Sequence, residues 1–326
     1  MSQPPFDDLS IDTVIDAVES IGFLSDLRVF PLNSYENRVY QVGIEDSTPV
    51  IAKFYRPERW TDEQILEEHA FSFALAEAEI PVIPPMQIDK CSLFRFGKYR
   101  FSLAERKGGH APELDNLDTL YTLGQHLGRI HALGAAKRFQ HRPAITMKGF
   151  AEDSRTFLLD EDFIPASLAA AYEAISAQLI TKLKTCFDHT EYRAIRLHGD
   201  CHPGNILCRP ESLFIVDLDD CRMGPAIQDL WMLISGDRGQ KQRQFIELLE
   251  GYEEFFDFDR AELRLIEPLR TLRLMHYAAW LARRWHDPAF PYAFPWFNTE
   301  RYWASHIQEL KEQLFALDEP ALKLQD

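Results

Sequence analysis

Leu197-His-Gly-Asp-Cys-His-Pro-Gly-Asn-Ile-Leu207 and, a short linker later, Phe214-Ile-Val-Asp-Leu-Asp-Asp220 hold the most specific pattern in this chain. The first segment places a carboxylate, Asp200, and a side-chain amide, Asn205, in one loop containing glycine and proline. Ile195 and Leu197 precede the loop, and Ile206 and Leu207 follow it. The second segment puts another carboxylate, Asp217, at the end of the apolar run Leu213–Val216. Phosphoryl transfer asks for such a set: a carboxylate that orients an attacking hydroxyl, and oxygen ligands that hold Mg²⁺ on nucleotide phosphates. Single Asp and Asn residues are ordinary turn formers, so the ordered combination carries the reading.

His-Gly-Asp-x-His-x-x-Asn, followed by an apolar strand and Asp, resembles the phosphotransferases related to aminoglycoside and choline kinases. That family shares the protein-kinase fold, has His-Gly-Asp where protein kinases have His-Arg-Asp, and lacks the Asp-Phe-Gly signature. The resemblance implies an α+β, protein-kinase-like two-lobed fold. A small antiparallel-sheet N-lobe would span residues 1–106 and a mostly helical C-lobe 107–326, with ATP and Mg²⁺ in the cleft. Asp200 would accept or orient the proton of the substrate hydroxyl. Asn205 and Asp217 would hold Mg²⁺, with Asp217 also counted among the catalytic residues. His198 would anchor the loop, Gly204 would allow the tight turn before Asn205, and Asp229 would hydrogen-bond the His-Gly-Asp backbone.

The upstream sequence fits that frame. Leu27–Leu32, Arg38–Ile44 and Pro49–Tyr55 read as three meandering strands, the last alternating Val50, Ala52 and Phe54 against Ile51, Lys53 and Tyr55. In the family the lysine on the third strand clamps phosphates and the first turn covers them. The turn here, Asn33-Ser-Tyr-Glu-Asn37, has no glycine, and Ser34 is its best phosphate contact, because small polar residues still offer N–H groups and hydroxyls. Thr61-Asp-Glu-Gln64 is a capping box opening a helix to about Ala78. Ile65, Glu68, Phe71 and Leu75 share one face of it. A carboxylate on an apolar face needs a partner, and Lys53 is the expected one. A hairpin of 92–96 and 99–104 leads to Glu105-Arg-Lys-Gly-Gly109, where the family's backbone reads adenine and Glu105 is a candidate contact.

Further on, a helix from Asp115 carries Gly124 and Gly128 four residues apart, which would admit a second backbone, and Gly134 as a stop. His131 on it reads as a packed core histidine. Residues 135–165 are poorly patterned, and Lys137, Arg138, His141, Arg142 and Lys148 suggest a basic, substrate-facing patch. Helices are expected over about 165–187, 226–234, 241–255, 259–285 and 299–317. The aromatic, proline-rich stretch 285–297 is expected to pack against the helical lobe, with a peptide-binding surface as the sharper alternative.

Composition sets bounds. With 326 residues, two lobes or domains are expected. The net charge of −16 argues against a broad nucleic-acid surface. Five cysteines without a C-x-x-C pair suit a reducing compartment. No signal peptide and no apolar run of membrane-spanning length is evident, so a cytoplasmic location with no membrane partner is expected.

Residues 33–40, 53–60, 65–69, 198–207, 216–220 and 224–233 resemble one bacterial branch of the family. That resemblance implies a Ser/Thr protein kinase, autophosphorylating and monomeric, acting on a protein hydroxyl in stress response and cell survival. The alternative is a kinase of a small alcohol such as homoserine, choline or an aminoglycoside. A pseudokinase scaffold is disfavoured, since a scaffold has no need of Asp200 alongside Asn205, Asp217 and Lys53.

Overall fold

The structure is a computed structural model that describes residues 4–209 and 212–324. In chain order its elements are α1 (Ile11–Glu19), β1 (Ser25–Pro31), β2 (Arg38–Ile44), β3 (Val50–Phe54), α2 (Asp62–Glu77), β4 (Phe94–Phe96) and β5 (Tyr99–Glu105). Then come α3 (Leu117–Ala136), α4 (Asp153–Asp160), α5 (Ala166–Asp188), β6 (Ile195–Leu197), β7 (Ile206–Arg209), β8 (Ser212–Ile215) and β9 (Arg222–Gly224). The chain continues with α6 (Ile227–Leu230), α7 (Arg238–Tyr252), α8 (Ile266–Arg283), α9 (Ala289–Ala293) and α10 (Glu300–Ala316). By internal contacts it divides into two units. One comprises 1–113, 139–142 and 200–221; the other comprises 114–138, 143–199 and 222–326. Residues 200–221, where the catalytic and metal loops are expected and which fall in the expected helical lobe 107–326, thus group with the N-terminal sheet.

In the first unit the five strands are antiparallel, in the order β1-β2-β3-β5-β4. The alternation read from β3 is real: Val50, Ala52 and Phe54 are buried with Val42, Phe101 and Leu103 and with Val14 and Val18 of α1. Lys53 therefore emerges on the opposite face, in register with Val39 and Ser102. α2 begins at the predicted capping box. The Thr61 hydroxyl accepts from Gln64 N at 3.3 Å, and the Gln64 side chain accepts from Thr61 N at 2.9 Å. Such a cap is worth about 1 kcal/mol. The face of α2 that buries Ile65, Phe71 and Leu75 also buries Glu68. β7 and β8 form a hairpin, and Ile215 N donates to the Pro81 carbonyl at 2.9 Å, joining the hairpin to the segment after α2.

The second unit is mostly helical. α3 and α7 pack closely because a Cβ on Gly124 would collide with the Leu248 carbonyl, and one on Gly251 with the Tyr121 carbonyl. Gly128 faces the Tyr252 carbonyl in the same way. Gly134 does not stop α3, which runs on to Ala136; its missing side chain makes room for the Arg196 carbonyl on β6. The poorly patterned region contains a π-helical turn, Lys148–Glu152, that continues into α4. α8 starts later than its periodicity suggests, because a 3₁₀ stretch over Arg260–Leu265, capped by Asp259, precedes it. In the aromatic segment Phe290, Phe294 and Phe297 are buried while Tyr292 is exposed, so most of it packs inward. Among the described residues no helix is long and apolar enough to cross a membrane.

Candidate active site

The first unit gathers charge around Lys53. Its Nζ lies 3.0 Å from Asp217 Oδ1, 3.2 Å from Asp219 Oδ1 and 4.0 Å from Glu68 Oε1. The expected Lys53–Glu68 pair is present, but two nearer carboxylates share the lysine. Asp217 and Asp219 differ in setting. The Asp217 side chain is 53% exposed and that of Asp219 only 4%. Asp219 is also bonded by the Asn37 amide at 3.1 Å and by the Arg59 guanidinium. Glu68 has a second cation in reach, with Arg142 Nη2 at 3.9 Å.

These contacts set protonation. Burial alone would lower Lys53, but Asp217, Asp219 and Glu68 hold it well above the usual lysine value, so it stays charged. Burial would raise Asp219 as well; Arg59 and Lys53 overcome that and hold it down at about 2. Glu68 goes the other way, since burial, against the pull of Lys53, leaves it at about 7.

The loop carrying Asp200 is built from its own polar groups. The Asn205 amide donates to the Asp200 carbonyl at 2.9 Å, Asn205 N donates to His202 O at 2.9 Å, and His202 Nδ1 accepts from Gly204 N at 3.0 Å. His202 Nε2 lies 3.5 Å from Asp200 Oδ2. Val216 N donates to the Asn205 carbonyl at 2.9 Å, which ties the end of β8 to this loop just before Asp217. Asp217 itself has φ 61 and ψ 64, a left-handed conformation that is costly without glycine and tends to persist at functional sites.

In the second unit, Asp229 closes the end of β6. It accepts from His198 N at 2.7 Å and Gly199 N at 2.8 Å, and it meets His131 Nε2 at 3.1 Å. Gly199 needs its lack of a side chain there, with φ 88. His131 Nδ1 contacts Tyr252 Oη at 2.8 Å, so an Nε2–H tautomer satisfies both ring nitrogens. Burial would raise Asp229, and the bonds from His131 and Gly199 hold it below the usual carboxylate range. Asp229 thus fixes the backbone of the two residues before Asp200, as the family resemblance implies. His131 is buried, but as one link of this chain rather than as inert filler.

The profile of the phosphotransferase enzyme family, APH, matches residues 28–266. The chain belongs to that family. It is 46% identical to stress response kinase A of Escherichia coli O157:H7, over 98% of this chain and 97% of that one. It is 44% identical to the serine/threonine protein kinase RdoA of Salmonella typhimurium over the same shares. Among solved structures it resembles amicoumacin kinase hAmiN in complex with AMP-PNP, Ca²⁺ and Ami, with a TM-score of 0.75, 18% identity, and coverage of 97% of this chain and 95% of that one. The fold is the α+β, protein-kinase-like one, an antiparallel sheet followed by a helical remainder, and the chain is a phosphotransferase.

For a phosphotransferase, the oxygen donors on hand suit Mg²⁺. Asn205 supplies an amide oxygen and Asp217 a half-exposed carboxylate. Among the described residues no group of three or more His, Cys, Asp or Glu forms a metal cage. Nucleotide-bound Mg²⁺ needs none, since one or two carboxylates complete a shell of phosphates and water.

Ser34 and Glu105 have their described partners elsewhere. The Ser34 hydroxyl donates to the Asn37 carbonyl at 3.1 Å, and Glu105, at the end of β5, pairs with Lys107 at 2.5 Å. The basic patch expected around 137–148 loses its central member. Arg142 is buried, with its guanidinium on the carbonyls of Leu218, Asp219 and Cys221. Glu67 accepts from the backbone N–H groups of Gln140, His141 and Arg142 at 2.5, 2.8 and 2.8 Å, which holds that segment on α2. On the sequence alone Asp219 could support a metal through water or serve a turn or cap, and neither Asn37 nor Arg59 stands out there as its partner. The one available signal was the density of charge in Arg56-Pro-Glu-Arg-Trp60, opposite a loop with three acids.

Proposed function

We propose that this phosphotransferase uses ATP and Mg²⁺ to phosphorylate a Ser or Thr hydroxyl of a protein, itself included, in bacterial stress response. The observation that carries the reading is the convergence of Lys53, Glu68, Asp217 and Asp219 in the unit that also contains Asp200 and Asn205. Lys53 clamps phosphate oxygens, and Glu68 with Asp219 keeps the ammonium charged and aimed. Asp200 orients the attacking hydroxyl and takes its proton. Asn205 and Asp217 hold Mg²⁺, which neutralises charge on the phosphates. Ser34 and Glu105 are the proposed contacts to phosphate and to the nucleotide base. The names of the two relatives support a protein acceptor in stress response. The protein is further read as a cytoplasmic monomer with no nucleic-acid or membrane partner.

The test is incubation with labelled ATP and Mg²⁺ alone, with generic protein, or with a panel of amino alcohols. Label in protein, and in the kinase itself, supports this reading. Label confined to a small alcohol would replace it with the alternative, a kinase of homoserine, choline or an aminoglycoside. Asp200→Ala should abolish transfer, by about 10³-fold or more, while nucleotide still binds. A variant that labels acceptor at the normal rate removes Asp200 from its role.

A further inference from the structure

Beyond Lys53, the stretch Arg56-Pro-Glu-Arg-Trp60 reaches the turn that follows Asp217. Glu58 takes φ 64, a left-handed backbone that a non-glycine residue keeps only where its surroundings enforce it. The next residue, Arg59, donates to Asp219 Oδ2 and, at 2.9 and 3.0 Å, to both carboxylate oxygens of Asp220. Arg142 holds the backbone of the same turn, through the carbonyls of Leu218 at 3.3 Å, Asp219 at 2.5 Å and Cys221 at 3.1 Å. Both guanidinium groups lie over the Trp60 ring, with Cζ 5.1 Å from its centroid for Arg59 and 4.3 Å for Arg142. Side chains and main chain of residues 218–221 are thus gripped by two cations that share one aromatic platform.

This grip bears on Asp217. Its left-handed conformation has little intrinsic preference, so the turn after it decides where its carboxylate points. The partners of that turn are fixed charges, buried or nearly so: the side chains of Arg59 and Arg142 are 13% and 0% exposed. The planar Arg59 fork meets Asp219 through Nη1 and both oxygens of Asp220 through Nη2, a fixed geometry that the compact point charge of an ammonium does not reproduce.

We propose that Arg59, together with Arg142, is a positioning residue for phosphotransfer: it locks the 218–220 turn and thereby aims Asp217 beside Lys53. The proposal rests on the phosphotransfer reading of the site. Arg59 acts through Asp219 and Asp220.

The test uses Arg59→Ala, Arg59→Lys, Asp219→Asn and the Arg59→Ala/Asp219→Asn double variant of the full chain. Calorimetry with a non-hydrolysable ATP analogue gives the Mg²⁺ concentration for half-maximal nucleotide binding; kcat and melting are measured alongside. Arg59→Ala should raise that Mg²⁺ concentration and lower kcat by about ten- to a hundredfold, the usual cost of losing a residue that orients a metal ligand. At saturating Mg²⁺ the KM for ATP should hardly move. Arg59→Lys should restore melting but only part of kcat. The double variant should lose less kcat than the product of the two single losses, since both substitutions act on the turn, while Asp219 keeps a separate contact with Lys53. If Arg59→Ala only melts earlier, with Mg²⁺ requirement and kcat unchanged, Arg59 is mere packing and the proposal is overturned. If the unaltered protein binds no nucleotide in Mg²⁺, the phosphotransfer reading fails and the clamp falls with it.

Discussion

Lys53 and Glu68 were legible as a pair because a carboxylate on the apolar face of α2 has to find a cation, and β3 offers one on its outward face. Asp219 and Arg142 were not legible, because an aspartate in a turn and an arginine in a basic run look alike whether exposed or buried. Their burial depends on partners far away in sequence, Arg59 and the 218–221 turn. Glu262 was invisible for the same reason. It accepts from Ile227 N at 2.9 Å, yet burial outweighs that bond and pushes its carboxyl up to about 7. A folded pKa above the unfolded one means that the native state binds the proton more tightly. Its contribution is therefore complete below about pH 4.5 and is lost as pH rises through about 7. Glu262→Gln keeps the acceptor oxygen and removes the titration. Denaturant unfolding at pH 5 and pH 8 should show the parent losing on the order of 1–3 kcal/mol more than the variant across that interval. Parallel curves would mean that Glu262 stays ionised in the fold.

At the scale of elements, local signals did well where the physics is local. The Thr61–Gln64 capping box starts α2 where the sequence places it, and α10 begins within a residue of its expected start. Glycine is the counterexample, since one residue type serves both to end a helix and to let two backbones meet. Gly124 and Gly128 were readable as a close-approach pair by their spacing, while Gly134 passed for a stop until β6 was seen against it. The α3–α7 contact turns this into a prediction. On an isolated helix, Gly→Ala gains about 1 kcal/mol of propensity. Here a methyl group at Gly124 or Gly251 drives into a carbonyl oxygen of the facing helix, which is backbone and cannot rotate away. Overpacking of that kind costs about 1–3 kcal/mol or more. Gly124→Ala and Gly251→Ala should therefore both lower the urea midpoint. A rise at either site, the outcome propensity alone predicts, would show that the helices separate at no cost.

At the scale of the whole molecule, the family pattern revealed the fold class but not how the chain is partitioned. Residues 200–221 begin about 175 residues after the sheet starts at Ser25, so order along the chain places them with the helical part. Their contacts, through Lys53 with Asp217 and through Ile215 with Pro81, group them with residues 1–113. That partition makes a testable statement about where nucleotide acts. All seven groups proposed for ATP and Mg²⁺ chemistry, Ser34, Lys53, Glu68, Glu105, Asp200, Asn205 and Asp217, lie in one unit. A ligand that binds only the folded form stabilises it by about 2.7 kcal/mol at a hundred times its Kd, which slows exchange through opening by about a hundredfold. Hydrogen exchange with an ATP analogue and Mg²⁺ should thus show its strongest protection in β1–β3, α2 and residues 200–221. The Mg²⁺-dependent part of that protection should vanish in Asp217→Ala. Protection confined to α5 and α7–α10 would put the nucleotide in the other unit and remove Lys53 from its role.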